Sequence, residues 1–343
     1  MNEALFRPFT LDHLNLANRI VMAPMTRSFS PNGVPGDDVA AYYRRRAEGG
    51  VGLIVTEGTY IPHHAAGFDP RVPHMYGDAA LAGWKRVAAA VHGAGGKIFS
   101  QLWHVGTEGD HAGAVGALAS VEQIGAIVAA FGEAAANAKA CGFDGVEIHG
   151  AHGYLIDQFF WDRTNRRTDD YGIDRTRFAV EVAEEIRRRV GSEFPVALRF
   201  SQWKIQDLNA KLANTPEELE AFLQPLNSAG IDIFHCSTRR FWESEFPGSN
   251  LNLAGWTKKL TGKPTITVGS VTLGEDVMRS FSTDDAAAIR GIDDLLERLE
   301  REEFDLVAIG RSIIANPDWP IQVKTGGVAA LRPFSRNALA KLL

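Results

Sequence analysis

The chain has only two cysteines, Cys141 and Cys236, far apart in sequence and without CxxC spacing. Neither a disulfide framework nor an iron–sulfur cluster is therefore supported. Basic runs are also lacking: the formal net charge is -6, the pI is about 5.9, and the arginine triplet Arg187, Arg188 and Arg189 reads as the solvated face of a helix. No electrostatic footprint for nucleic acid follows. No apolar run approaches the length of a membrane span. The N-terminal stretch MNEALFRPFT puts acidic and polar residues where a signal peptide needs a basic start and an apolar stretch. A soluble, cytoplasmic protein with no membrane or nucleic-acid partner is expected. Internal repeats and low-complexity segments are absent as well.

What is present is ordinary globular material: 343 residues, 45% hydrophobic and 23% charged. Short β-branched runs alternate with longer amphipathic segments, the pattern of βα units around a parallel sheet. Eight candidate strands stand in order: RIVMAP from Arg19, GLIVTEG from Gly52, KIFSQLW from Lys97, GVEIHG from Gly145, PVALRFS from Pro195, IDIFHCS from Ile231, PTITVGS from Pro264 and LVAIGR from Leu306. Helical patterns lie between them, several ending in glycine. Thr215 before PEEL supplies an N-cap, a proline at the first helical position and acidic residues in the first turn. Eight strands predict an α/β fold: a single (β/α)8 TIM barrel spanning residues 1–343, with an N-terminal cap segment and a C-terminal tail. An open doubly wound sheet uses the same alternation, but no G-x-G-x-x-G turn follows the first strand.

In a barrel the chemistry belongs at the C-terminal strand ends. There the chain carries Pro24, Met25 and Thr26; Glu57 and Gly58; Gln101, Trp103 and His104; His149, His152 and Tyr154; Arg199; His235 and Ser237. Gly269 with Ser270, and Gly310 with Arg311, end strands seven and eight, where barrels frequently bind phosphate through loop amides. The pair His149 and His152 admits three readings. Zinc would need a third protein ligand, and no H-E-x-x-H or H-x-H pattern completes a set. Two merely structural histidines are the plain alternative. As neutral rings the two can also donate hydrogen bonds to a carbonyl or nitro oxygen, with Tyr154 near enough in sequence to supply a proton.

Five motifs carry a resemblance over essentially the whole chain: APMTR from Ala23, SQLWHVG from Ser100, GVEIHGAHGYLIDQFF from Gly145, TNRRTDDYG from Thr164 and IGRSIIANPDW from Ile309. In this order and at these strand ends they resemble the Old Yellow Enzyme family of FMN-dependent oxidoreductases. The resemblance implies FMN across the barrel mouth. Pro24, Met25 and Thr26 would lie beside the flavin, Gly58 near its ring, Gln101 at the pyrimidine edge and Arg199 near N1. The phosphate would fall to Gly269, Ser270, Gly310 and Arg311. His149 and His152 match the pair that holds the substrate oxygen, Tyr154 the proton donor, and Trp103 a wall of the substrate pocket. No metal is implied. NADH or NADPH would reduce the flavin, and hydride would then pass to an activated alkene such as an enone. Nitro compounds, nitrate esters or quinones are alternative acceptors, and a non-catalytic FMN-binding barrel is a third reading. A homodimer is implied as plausible. Two lone cysteines and an end at Leu343 count against the larger two-domain relatives.

The chain departs from the family pattern in two places. The stretch TEGDHAGAVGALASVEQ after Gly106, and YGIDRTRF around Gly172, are both shorter than usual. Both fall above the mouth, where a more open pocket would admit bulky substrates or lose water exclusion. Glu57 is expected to pair with a basic residue. The stretch Arg239 to Trp242 is expected to reach FMN phosphate or substrate, or else to form a solvated loop. His104, His235 and Trp242 carry no assigned role.

Overall fold

A computed structural model describes residues 3–106, 120–275, 278–279 and 286–343. Residues 107–119, which hold most of the shortened stretch after Gly106, lie outside them. Two short strands, β1 (Phe9–Leu11) and β2 (Leu14–Leu16), form an antiparallel hairpin. Eight more follow: β3 (Ile20–Met22), β4 (Leu53–Tyr60), β5 (Lys97–Trp103), β6 (Gly145–His152), β7 (Val196–Lys204), β8 (Ile233–Ser237), β9 (Thr265–Val268) and β10 (Leu306–Ile309). These pair in parallel and in sequence order, and β10 closes on β3, so the sheet is a closed barrel. Each candidate strand read from the sequence is present. The strand interiors are buried on both faces, as expected where helices cover the outside and side chains fill the inside.

The hairpin is the part of the N-terminal segment that periodicity missed. Phe9, Leu14 and Leu16 pack with Val21, Leu53, Phe99, Ile233 and Leu306, residues at the beginnings of barrel strands. The N-terminal end of the barrel is thereby plugged with apolar side chains, and the polar end is left for chemistry. Helices form the outer ring. The caps are local: Thr215 Oγ1 accepts from the Glu218 N–H, and Ser120 with Gln123 makes a reciprocal capping box.

One expectation needs correction. Arg188 and Arg189 do pair with Glu185 at the surface, but Arg187 is not a solvated side chain. Its guanidinium donates to Asp232 Oδ2 at 2.6 Å and to the carbonyls of Gly230, Gly191 and Phe194. A planar fork with five donors can satisfy several loop carbonyls at once, and here it ties a helix end to the turn before β8.

Glu57 also differs from expectation, since its partners are backbone amides. Buried on β4, its Oε2 accepts from the N–H groups of Arg27 at 2.9 Å and Ser28 at 3.1 Å, which anchors the loop after β3. Burial pushes its carboxyl up from 4.5 to about 7, against the pull of those two amides and of the Arg27 charge. The native state thus holds a proton that the unfolded chain has released, so Glu57 stabilises the fold below pH 4.5 and loses that contribution as pH rises to about 7. Glu57→Gln is expected to flatten the fall of Tm across that window, where Glu57 contributes up to ~1.4 kcal/mol per pH unit. Thermal melts of both proteins through the window check this; parallel curves would reject it.

Candidate active site

The C-terminal strand ends open into a cavity of about 480 Å³, within the range of small-molecule sites. Pro24, Met25, Thr26, Gln101, Trp103, His149, His152, Tyr154, Arg199, Gly269, Ser270, Gly310 and Arg311 all line it. Gly58 does not. A Cβ there would come within 2.5 Å of Trp103, so the missing side chain makes room for the indole against β4.

Beneath the cavity lies a buried polar layer set by strand register: Gln101 opposite Glu147, and Arg199 opposite His235. Glu147 is fully buried, and both of its oxygens are used. Oε1 accepts from Gln101 Nε2 at 2.8 Å and Oε2 meets His235 Nδ1 at 2.6 Å. Burial alone would raise its carboxyl; the contact with His235, the Arg199 charge and the Gln101 amide together bring it below the ordinary range. His235 is pulled down by burial, with Glu147 opposing, so the pair is a carboxylate and a neutral ring that donates from Nδ1. Arg199 is fully buried, and Glu147 offsets part of its desolvation. Its Nη2 donates to Ser237 Oγ at 3.3 Å, while its Nε has no partner.

The wall above this layer is aromatic. Trp103 stacks near His149 with centroids 6.0 Å apart, and Tyr154 stands edge-on to both rings at 4.9 Å. His152 lies 5.3 Å from His149 and 4.6 Å from Trp203. Burial, followed by the Arg199 charge, holds both imidazoles well below their ordinary pKa, so they are neutral. The Ala151 N–H donates to His149 Nδ1 at 3.4 Å, which puts the ring proton on Nε2. Ser237 Oγ accepts from Arg199, and it can give its own proton to His152 Nε2 at 2.8 Å; His152 then keeps its proton on Nδ1. Burial raises the Tyr154 phenol, which stays protonated.

The opposite side consists of loops. Gly269 has φ 150, and a Cβ there would meet Thr238 Oγ1 at 2.7 Å and the Thr238 carbonyl at 2.8 Å. Ser270 and Arg311 are partly committed to each other: Arg311 Nη2 donates to Ser270 Oγ at 3.1 Å and to the Glu275 carbonyl at 2.9 Å. They brace the loop whose amides would meet an anion.

Sequence reading gave no role to several lining residues: Trp203, Ser237, Thr238 and Leu339. Trp203 was findable, because it shares the period-2 face of β7 with Arg199. Leu339 comes from the tail and has no local signal. Arg239 reaches the cavity, as one reading of that stretch allowed. His104 stands apart, its Nε2 3.1 Å from His63 Nδ1, and burial brings it down to about 3. Among the described residues no group of three His, Cys, Asp or Glu side chains could hold a metal, and no helix is long and apolar enough to cross a membrane.

The residues suit a flavin phosphate ester. With Nε2 bound to Glu147, Gln101 keeps its carbonyl oxygen for an imide N–H; Arg199 keeps an unpartnered Nε on a cation suited to an electron-rich ring; the glycine loops admit an anion. Fold and site together define a flavin-dependent barrel oxidoreductase. The sequence model of the NADH:flavin oxidoreductase / NADH oxidase family matches residues 4–328. The chanoclavine-I aldehyde reductase of Penicillium roqueforti is 35% identical, with 94% of this chain and 89% of that protein covered. The NADH oxidase of Thermoanaerobacter brockii is 33% identical over 94% of this chain, which spans about half of that longer relative (51%). The Old Yellow Enzyme homologue of Zymomonas mobilis superposes with a TM-score of 0.79 at 26% identity, covering 98% of this chain and 96% of that one. The chain belongs to the NADH:flavin oxidoreductase / NADH oxidase family, the Old Yellow Enzyme group of FMN-dependent oxidoreductases.

Glu147→Gln removes the buried charge beside Arg199 and replaces one acceptor oxygen with an N–H₂, so either Gln101 turns its amide or His235 changes tautomer. FMN affinity is expected to fall about tenfold, ~1.4 kcal/mol, in a fluorescence titration, with folding retained. Unchanged affinity would detach Glu147 from the cofactor site.

Proposed function

We propose that the chain is an NAD(P)H-dependent reductase of activated C=C bonds, acting on small electrophilic alkenes such as enones. The observation that supports this best is the meeting of His149, His152 and Tyr154 on one cavity wall, facing the space above Gln101 and Arg199. Gln101 and Arg199 would hold the pyrimidine edge of FMN, Pro24, Met25 and Thr26 its ring, and the loops at Gly269–Ser270 and Gly310–Arg311 its phosphate. Bound FMN would supply two-electron chemistry, accepting hydride from NADH or NADPH and delivering it from N5 to the alkene β-carbon.

The chain's own residues do the rest. Two neutral imidazoles, donating from His149 Nε2 and His152 Nδ1, hold the activating oxygen and accept the negative charge that grows there. Neutrality matters: a protonated ring beside Arg199 would be repelled, and burial removes that state. Tyr154 donates its phenolic proton to the α-carbon. Trp103 closes the wall, with Gly58 giving it room. The same imidazole pair would hold nitro or quinone oxygens, so product analysis decides between acceptors.

The first test is the visible spectrum of the purified protein, repeated anaerobically after NADPH or NADH. A flavin spectrum that bleaches, and returns on adding an enone, is expected. Flavin that stays oxidised would favour a binding protein. Tyr154→Phe is expected to leave flavin reduction intact and slow alkene reduction about 100-fold; equal loss in both half-reactions would reject its role. His149→Ala with His152→Ala is expected to weaken phenol binding about 30-fold while FMN is retained. Because burial pushes the imidazoles down and the phenol up, alkene reduction should be level from about pH 6 to about pH 9 and decline only above about pH 10. A histidine-like step near pH 6.5 in stopped-flow traces would contradict this.

A further inference from the structure

The end of β6 breaks the regular ladder. Its register with β7 slips from Gly150 opposite Phe200 to His152 opposite Lys204. Two consecutive residues, His152 and Gly153, take left-handed φ of 66 and 85. That backbone is unfavourable for histidine and persists only where its surroundings hold it. The turn points His152 and Tyr154 into the cavity, so whatever holds it also sets the geometry of the wall.

The holding contacts converge on one ion pair. The Gly153 N–H donates to Asp157 Oδ2 at 2.7 Å, and Lys204 Nζ donates to Asp157 Oδ1 at 2.6 Å. Lys204 Nζ also donates to the Ser201 carbonyl at 2.9 Å, while Ser201 Oγ accepts from the His152 N–H at 3.0 Å. Asp157 and Lys204 are both fully buried, and neither lines the cavity. A buried ion pair is weak evidence for stability, since apolar replacements are often neutral, and registry is its best-attested use. Here the pair spans the register slip, from the helix after Tyr154 to the end of β7.

We infer that Asp157 and Lys204 are positioning residues for the reaction: their ion pair pins the turn His152–Gly153–Tyr154, so that the imidazole and the phenol hold their directions over the cavity. This rests on the proposed role of the imidazole pair in binding the substrate oxygen. Neither residue lines the cavity, so neither would touch substrate or cofactor. Their contribution is therefore to geometry, and removing the pair should loosen oxygen binding while leaving the cofactor in place.

The test uses the FMN-loaded protein and a para-substituted phenol, whose dissociation constant is read from the perturbed flavin spectrum. Asp157→Asn, Lys204→Met and the double variant are compared with wild type, alongside FMN affinity and Tm. The double leaves no unpaired buried charge, so it carries the test if a single variant fails to fold. We expect the double to keep FMN affinity within about threefold and to bind phenol at least about tenfold more weakly. Lys204→Arg, which retains a cation for Asp157, should stay within about threefold of wild type. A double variant with wild-type phenol affinity and only a changed Tm would overturn the inference, because the pair would then be merely structural. Parallel loss of FMN and phenol would overturn it too. Wild-type protein that holds FMN but binds no phenol would instead defeat the imidazole reading, and this inference with it.

Discussion

A carboxylate sealed from water governs the mouth of this barrel. An ionised Glu147 at the centre of a packed sheet is tolerable only if each oxygen finds a donor and a cation lies near. Gln101, His235 and Arg199 meet those demands from three other strands. Each response has a consequence outside the layer. Gln101 spends its N–H₂ downward and turns its carbonyl to the cavity. His235 is fixed as the tautomer that donates from Nδ1. Arg199 keeps its charge in a dry site and still has a donor to spare. Closure of the sheet makes this possible, because only a closed parallel barrel brings strand ends from all sides around one point.

The cation required by Glu147 also acts on the wall above. Arg199 adds to burial in keeping His149 and His152 uncharged, and it moderates the rise that burial imposes on Tyr154. The cavity therefore presents neutral donors around a permanent positive charge. Such a set holds an oxygen more strongly as negative charge develops on it, since the donors and the cation both gain with that charge and the neutral donors cost little while the oxygen is uncharged.

Much of this was legible in the sequence because the barrel imposes simple rules. Eight β-branched runs announced eight strands, and strand ends announced the lining residues. What failed was information carried by distance in sequence. Glu57 pairs with backbone amides about thirty residues away, and no side-chain pattern marks an amide acceptor. Arg187 looked like one of three surface arginines until the fold brought loop carbonyls around it. Gly58 was placed correctly on its strand, but its contact is Trp103 on the neighbouring one. The slip in register after Gly150 has no composition signal at all; only the double-glycine spacing around His152 hints that the chain bends there.

The loop after β3 joins these threads. Its backbone hangs from Glu57, and its Arg27 side chain donates to the tail carbonyls of Leu339 at 3.2 Å and Lys341 at 2.8 Å. Just before those anchors, Met25 and Thr26 line the cavity, and Leu339 joins them from the tail. One side of the mouth is thus suspended from a carboxyl that titrates at about 7, whereas the imidazole wall is held uncharged by burial. Near neutrality the two sides differ in kind. The substrate-facing wall keeps its protonation state while the support of the ring-facing loop changes charge, so the Glu57 titration acts on the stability of the fold and leaves the oxygen-binding donors as they are.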